Sequence, residues 1–487
     1  MMESRITSRI IYFFLALGLV AGVIVILYTQ NSYGGGDNFS HYKFAYWGWK
    51  YPNLLFNHWG KPVFTLLASP FAQIGINGVR VYNLLMGFLT ALIIGELANH
   101  FYFKNRAVGI LLVLFTPVYF IMMFTSLTEV TFSFFLALGI WLFFKEKYIF
   151  SAVIWSFLPI IRSEGFVLFP LFILVFGLKK QFFALPLLSA GFWLISFLGN
   201  FFYDDFWWLI TNMPYVGNNA RDIYGSGSLL HYIHHTEGIL GYPLAGLFVI
   251  GFGVMLHKWV TAERRKLTSS LYFLILIPGS FFTFLAAHSI VWWLGTGSSL
   301  GLVRVMASVT PLVALTALPG FNFLESWLKK KNNGVGRVFV AILLTAIVWL
   351  GITSHLGGFK ISREDRLMDQ AGDFILKNKL DRFKLYYFSP HLIGRLGVDP
   401  FDRSLSNEGL PDRQNPGHLL PDSSIVVWDA HFGPNEGGIP LEKLKQNDRL
   451  VLIKEFKPDD SFKVLGGYDY AIYIFQRIPE PGKTIND

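Results

Sequence analysis

The strings IIYFFLALGLVAGVIVIL (Ile10–Leu27) and GGGDN (Gly34–Asn38) decide how this chain is read. The first carries no charged residue. As a helix it reaches roughly 27 Å, close to the thickness of a bilayer's hydrocarbon core. The second puts an acid, Asp37, just beyond that span. Arg5 and Arg9 precede the span and no small-residue cleavage site follows, so it reads as an anchor that stays attached.

Comparable apolar runs recur through most of the 487 residues. The mean hydropathy is +0.45, with 53% hydrophobic and 15% charged residues and 49 phenylalanines. Soluble domains carry about 25% charge. The chain is therefore expected to be a polytopic α-helical membrane protein. It has no cysteine, which excludes disulfides, thiolate catalysis and Cys-ligated metals. Its net charge of +9 resides mainly in Lys/Arg clusters between spans. That pattern reports topology and gives no footprint for nucleic acid.

The clusters are Lys104 and Arg106, Lys145 and Lys147, Lys179 and Lys180, His257 to Lys266, and Lys329 to Lys331. All fall on the cytoplasmic side if there are about 11 transmembrane helices, the last near Val338–His355. The N-terminus is then cytoplasmic and the C-terminus external, on the periplasmic, luminal or extracellular face. Several candidate spans are short, Ile149–Ile161 among them, and reentrant segments are the alternative there. The expected division is a membrane domain at 1–357 and a soluble external α/β domain at 358–487. In the second part charge rises and strand-length runs appear at Lys384–Phe388, Ser424–Trp428, Leu450–Phe456 and Tyr468–Phe475. Arg363–Lys379 reads as an amphipathic helix with Leu367, Ala371, Phe374 and Ile375 on one face.

This threading brings the polar, aromatic loops to the external face. Asp37 reads either as a turn residue, since Gly-Asp-Asn is good turn chemistry, or as a general base for an attacking hydroxyl. His58 and Lys61 lie in the aromatic segment Asn57–Pro70, which reads as an interfacial anchor or as an anionic headgroup contact. Glu129 lies between two closely spaced spans. Arg162 and Glu164 share a turn and form either a structural pair or part of a site. Arg304 follows the glycine-rich stretch Gly295–Val303. A cation beside glycine backbone donors suits a phosphate, while snorkelling is the plain alternative. His231, His234 and His235 have helical spacing that suits a metal or, more plainly, a substrate contact. Asp204, Asp205, Trp207 and Trp208 form an acidic-aromatic patch. Asp429, His431 and Glu436 sit in a turn-rich loop that either docks the C-terminal domain or touches substrate.

Together these residues resemble the GT-C superfamily of integral-membrane glycosyltransferases over about residues 10–355. Asp37 matches the acid of the family's first external loop. His58-x-x-x-Pro62, Leu66-Leu67 and Arg80 resemble the family's His-x-x-x-Pro segment and following Arg. Arg162-Ser-Glu-Gly resembles the Arg-Pro-Glu turn of the mannosyltransferase branch, with Ser163 in place of Pro. Gly301-Leu-Val-Arg304, running on to Pro311, resembles a Gly-x-x-Arg stretch before a late span.

The resemblance implies a hexosyltransferase, with mannose as one sugar. It would use a polyprenyl-phosphate-linked donor and a glycan, lipid or protein acceptor, in contact with membrane lipids. Asp37 would be the catalytic base. Substrate-binding residues would be His58, Lys61, Arg80, Glu129, Arg162, Glu164, His234 and Arg304. The family often has an acidic pair where this chain has Asp37 and Asn38, so a divalent metal is left open and no metal ligand is assigned. Competing readings are an O-antigen ligase or polymerase, a lipid or sugar transporter (a flippase), and a catalytically dead assembly subunit.

Overall fold

The computed structural model describes residues 2–214, 224–261, 264–297 and 299–479. Ser298 of the glycine-rich stretch, the middle of the Asn200–Gly238 loop and the C-terminal Asp487 lie outside the described residues. The chain divides into two compact units. One holds most residues up to Lys360. The other gathers Gly35–Ser40, Tyr224 and the chain from Ile361 onward.

The first unit is all helical. Among the described residues, six of its helices are long and apolar enough to cross a membrane: Ile10–Tyr28, Ile76–His100, Phe182–Tyr203, Tyr242–Val260, Ser269–Leu294 and Asn333–Thr353. Shorter apolar helices run over Pro62–Ala72, Glu129–Phe144, Tyr148–Ile161 and Ser163–Leu178. The chain is a multi-pass membrane protein.

At the centre of this unit is the Thr310–Lys331 helix, whose stretch Thr310–Phe321 is buried throughout. It lies so close to the Tyr242–Val260 helix that a Cβ on Gly251 or Gly320 would strike the other helix's backbone. Small residues at such crossings let helices pack without a hydrophobic drive from water. The Pro62–Ala72 helix departs from the interfacial reading. Val63, Phe64, Thr65, Ala68, Ser69 and Ala72 are all buried, so it packs inside the unit. The hydroxyl of Thr65 is satisfied by the carbonyls of Gly60 and Lys61, which makes its burial inexpensive.

The second unit carries a five-stranded sheet of order β2-β1-β3-β5-β4. The strands are β1 (Leu385–Tyr387), β2 (Ser406–Glu408), β3 (Ile425–Asp429), β4 (Leu450–Phe456) and β5 (Ile472–Arg477). β1 pairs parallel with β2 and β3, while β5 runs antiparallel to β3 and β4. Every residue of β3 is buried, as expected of a central strand covered on both faces. The amphipathic helix forms at Arg363–Lys377 and buries Leu367, Ala371 and Ile375. Four strands fall on the runs read from sequence. β2 does not, because Ser-Asn-Glu has no strand signature and pairs only through backbone at the sheet edge.

Candidate functional site

Charged side chains meet inside the first unit where several helices begin. Glu129 opens the Glu129–Phe144 helix, so its carboxylate complements the positive end of the helix dipole. Its side chain is only 2% exposed. Arg162 lies between the Leu158–Ile161 turn and the Ser163–Leu168 turn, and its Nη1 is 2.8 Å from Glu129 Oε1. The same guanidinium donates to Thr128 Oγ1 at 3.0 Å and to Glu164 Oε1 at 2.8 Å. Arg304, on the Val303–Ser308 turn, brings Nε to 3.8 Å from Glu129 Oε1. Its Nη1 donates to the Gly34 carbonyl at 2.8 Å. Gly34 is three residues before Asp37 in the chain.

Lys61 joins the cluster from the Pro62–Ala72 helix. It holds φ = 67°, a left-handed conformation that costs a non-glycine residue energy and recurs at ligand clamps. Burial lowers its pKa to about 8, with Glu164 raising it and Arg162 lowering it. For Glu164, burial acts to raise the pKa, but Arg162, His288 and Lys61 together hold it down at about 2. The cluster thus brings Lys61, Arg162 and Arg304 together with Glu129 and Glu164. A guanidinium's planar fork suits the oxygens of a phosphate.

Three further groups border the cluster. His288 Nε2 is 4.0 Å from Glu164 Oε1. Burial pushes the Tyr33 hydroxyl up to about 12, with Arg304 and Glu129 acting on it in opposite senses. Burial does the same for Tyr232, with Glu164 and Arg162 opposed. Sequence reasoning missed all three. His288 had a usable signal, a lone imidazole in an apolar span. The tyrosines had none, being two among 21.

His58 lies beside the cluster. Burial and then Lys61 lower its pKa to about 4, and its ring meets Trp208 edge-on at 6.3 Å. Arg80 is engaged elsewhere, donating to the Asn31 carbonyl at 2.6 Å and to Asn77 Oδ1 at 2.9 Å. It braces the first loop on the Ile76–His100 helix. His234 is exposed on the short His231–His234 helix. Its neighbour His231 instead bonds the Gly301 carbonyl at 2.7 Å. Gly301 has φ = 61°, and a Cβ there would press on the Trp292 ring, so only glycine suits that turn.

In the second unit, Asp37 stands in the first turn of the Gly36–Trp47 helix, where an acid also complements the dipole. The adjacent Gly36 lies against Phe432 and Pro390, which follow β3 and β1. Asp37 is therefore at the carboxyl ends of two parallel strands, the edge where open α/β sheets hold ligands. Burial raises the pKa of Glu436, and the charge of Asp37 raises it further. At the end of β3, buried Asp429 accepts the backbone N–H groups of His431 and Phe432 at 3.0 and 2.9 Å. Burial raises its pKa above the carboxylate range. His431 Nδ1 is 2.7 Å from Glu364 Oε2; burial works to lower its pKa, but Glu364 and Asp429 raise it overall. Among the described residues no three His, Asp or Glu side chains are placed to hold a metal ion.

Comparison with solved structures shows the fold. The chain matches a crystal structure of ArnT from Cupriavidus metallidurans bound to undecaprenyl phosphate, with TM-score 0.61 and 14% identity over 95% of this chain and 97% of that one. The apo ArnT structure gives 0.57 and 12% identity over 96% and 98%. An Archaeoglobus fulgidus oligosaccharyltransferase tethered to an acceptor peptide gives 0.50 and 11% identity over 86% and 69%. The chain shares the fold of the ArnT structures over nearly its whole length, in keeping with the resemblance read from its sequence. No family model and no curated protein sequence matches it.

Proposed function

We propose that this protein is a membrane glycosyltransferase that moves a sugar from a polyprenyl-phosphate donor to a hydroxyl acceptor with inversion. One observation carries the reading: a buried cluster that gathers Lys61, Arg162 and Arg304 around Glu129. The similar ArnT structure contains undecaprenyl phosphate, which supports a lipid-phosphate donor for this chain.

In this mechanism Arg304, Arg162 and Lys61 hold the donor's phosphate, with His58 at the edge of that pocket. Glu129 and Glu164 keep the guanidinium groups apart and oriented. Asp37 takes the proton of the acceptor hydroxyl as its oxygen attacks the anomeric carbon. The bond from that carbon to the phosphate oxygen breaks, and the electron pair leaves with the polyprenyl phosphate. Confining the donor to the membrane plane lowers the entropic cost of bringing it to the acceptor. Arg80 braces the first loop, and His234 is assigned to the acceptor side. The Arg162-Ser163-Glu164-Gly165 turn makes mannose the first donor sugar to try. The basic residues at the other end of the bundle orient the N-terminus to the cytoplasm and the C-terminus outside.

The test is transfer of radiolabelled sugar from a polyprenyl-phosphate donor by the full-length protein in vesicles. Label appearing in an acceptor, with release of polyprenyl phosphate, supports the reading. Movement of intact donor between leaflets without release supports a flippase instead.

A further inference from the structure

A second polar recess opens at the far end of the same helices. The Glu129–Phe144 helix has 16 residues, so Lys145 lies about 24 Å along its axis from Glu129. The Ile76–His100 helix runs beside it in the same direction. Tyr82 hydrogen-bonds Thr131 near one end, and the rings of His100 and Phe144 lie 5.5 Å apart at the other. There the helix ends border an open recess of about 650 Å³ lined by Glu96, His100, Lys145, Lys258, Ser269 and Ser270 together with aromatic rings.

The charge of this cavity is directional. Lys258 Nζ sits 5.8 Å from the Phe103 ring centroid, and Lys145 Nζ sits 5.9 Å from that of Trp141. Glu96 is already paired with Arg106 at 2.6 Å. The lining holds Lys145 and Lys258 as its cations, and its carboxylate, Glu96, is the one paired with Arg106. Serine hydroxyls supply donors between them, and the rings supply an apolar wall. The volume is that of a small-molecule site, far beyond what an ion or a single water needs. Basic recesses between membrane helices at the bilayer surface suit lipid headgroup phosphates.

We propose that this recess binds a phosphate-bearing anion, on the membrane face opposite the Glu129 cluster. The phosphate bridges Lys145 and Lys258 and accepts hydrogen bonds from Ser269 and Ser270. The remainder of the ligand packs on the rings. The site is independent of sugar transfer and would persist in a variant that had lost it.

Native mass spectrometry of the detergent-purified full-length protein tests this with three probes, phosphatidylglycerol, phosphatidylcholine and soluble glycerol phosphate. The Lys145→Gln/Lys258→Gln variant is compared with Lys104→Gln/Lys147→Gln, which removes two exposed lysines outside the cavity lining. The expected result is a loss of about thirtyfold in affinity in the first variant and little change in the second. Loss confined to phosphatidylglycerol identifies a lipid headgroup as the ligand, and loss confined to glycerol phosphate identifies a soluble phosphate. Equal retention by both variants, or retention of phosphatidylcholine and phosphatidylglycerol alike, overturns the proposal.

Discussion

Arg304 donates a 2.8 Å hydrogen bond to the carbonyl of Gly34, joining residues 270 apart in sequence. The bond fixes the start of the loop that carries Asp37 while the same guanidinium faces Glu129. A lysine could supply one contact but has no planar fork for both. Arg304→Lys is therefore expected to raise the donor Michaelis constant about tenfold, and Arg304→Ala more. Initial rates across donor concentrations check this. Wild-type constants in both variants would mean that Arg304 only snorkels.

Glu129 separates two guanidinium groups. Glu129→Gln keeps the shape and removes the charge, leaving Arg162 and Arg304 facing each other in a buried site. Breaking a buried pair in this way costs about 3–5 kcal/mol. The expected outcome is a clear fall in the melting temperature in detergent, with activity lost. An unchanged melting temperature would show that Glu129 is not the hub of the cluster.

Lys61 should give donor binding an alkaline limb. Its pKa is lowered to about 8, so its charge is lost as the pH rises through that value. Donor affinity is expected to weaken above about pH 8. Stability moves the other way: from about 8 to the ordinary lysine range the unfolded chain binds more protons, so stability rises with pH. Lys61→Arg should flatten the affinity profile. A limb that persists in that variant would assign it elsewhere.

Asp429 and His431 give the second unit the opposite dependence. Both have folded pKa values above their ordinary ones. The folded unit thus holds more protons than the unfolded chain, and its stability falls as the pH rises through those values. Asp429→Asn keeps an acceptor for the two backbone N–H groups and removes the ionisation. Hydrogen exchange of the peptide around β3 in the full-length protein is expected to slow in this variant at neutral pH and to match wild type in acid. Faster exchange at neutral pH would mean that the charged form is the native one.

Much of this was legible in the sequence because membrane helices write themselves as long apolar runs. Four of five strands did so through β-rich runs. The assembly of Glu129 with Arg162 and Arg304 was not legible: the three are separated by up to 175 positions, and nothing in a single sequence pairs them. The resemblance marked them one at a time. Arg80 shows the converse. Its motif position suggested a ligand contact, yet its guanidinium serves the Asn31 carbonyl, a local need that spacing cannot reveal. The Pro62–Ala72 helix read as interfacial because aromatic amphipathic segments favour that plane. Neighbouring helices cover it instead, a tertiary effect.

The central claim is sugar transfer from a lipid phosphate with Asp37 as the base, and Asp37→Asn tests it most directly. The two side chains are close in size, and asparagine also suits the start of a helix, so folding and donor binding should survive. Proton abstraction should not, and losing a general base costs about a hundred- to ten-thousand-fold in rate. Turnover of labelled polyprenyl-phosphate sugar by the full-length variant is therefore expected to fall by at least about a hundredfold at unchanged donor affinity. Turnover above about a tenth of wild type would contradict the account.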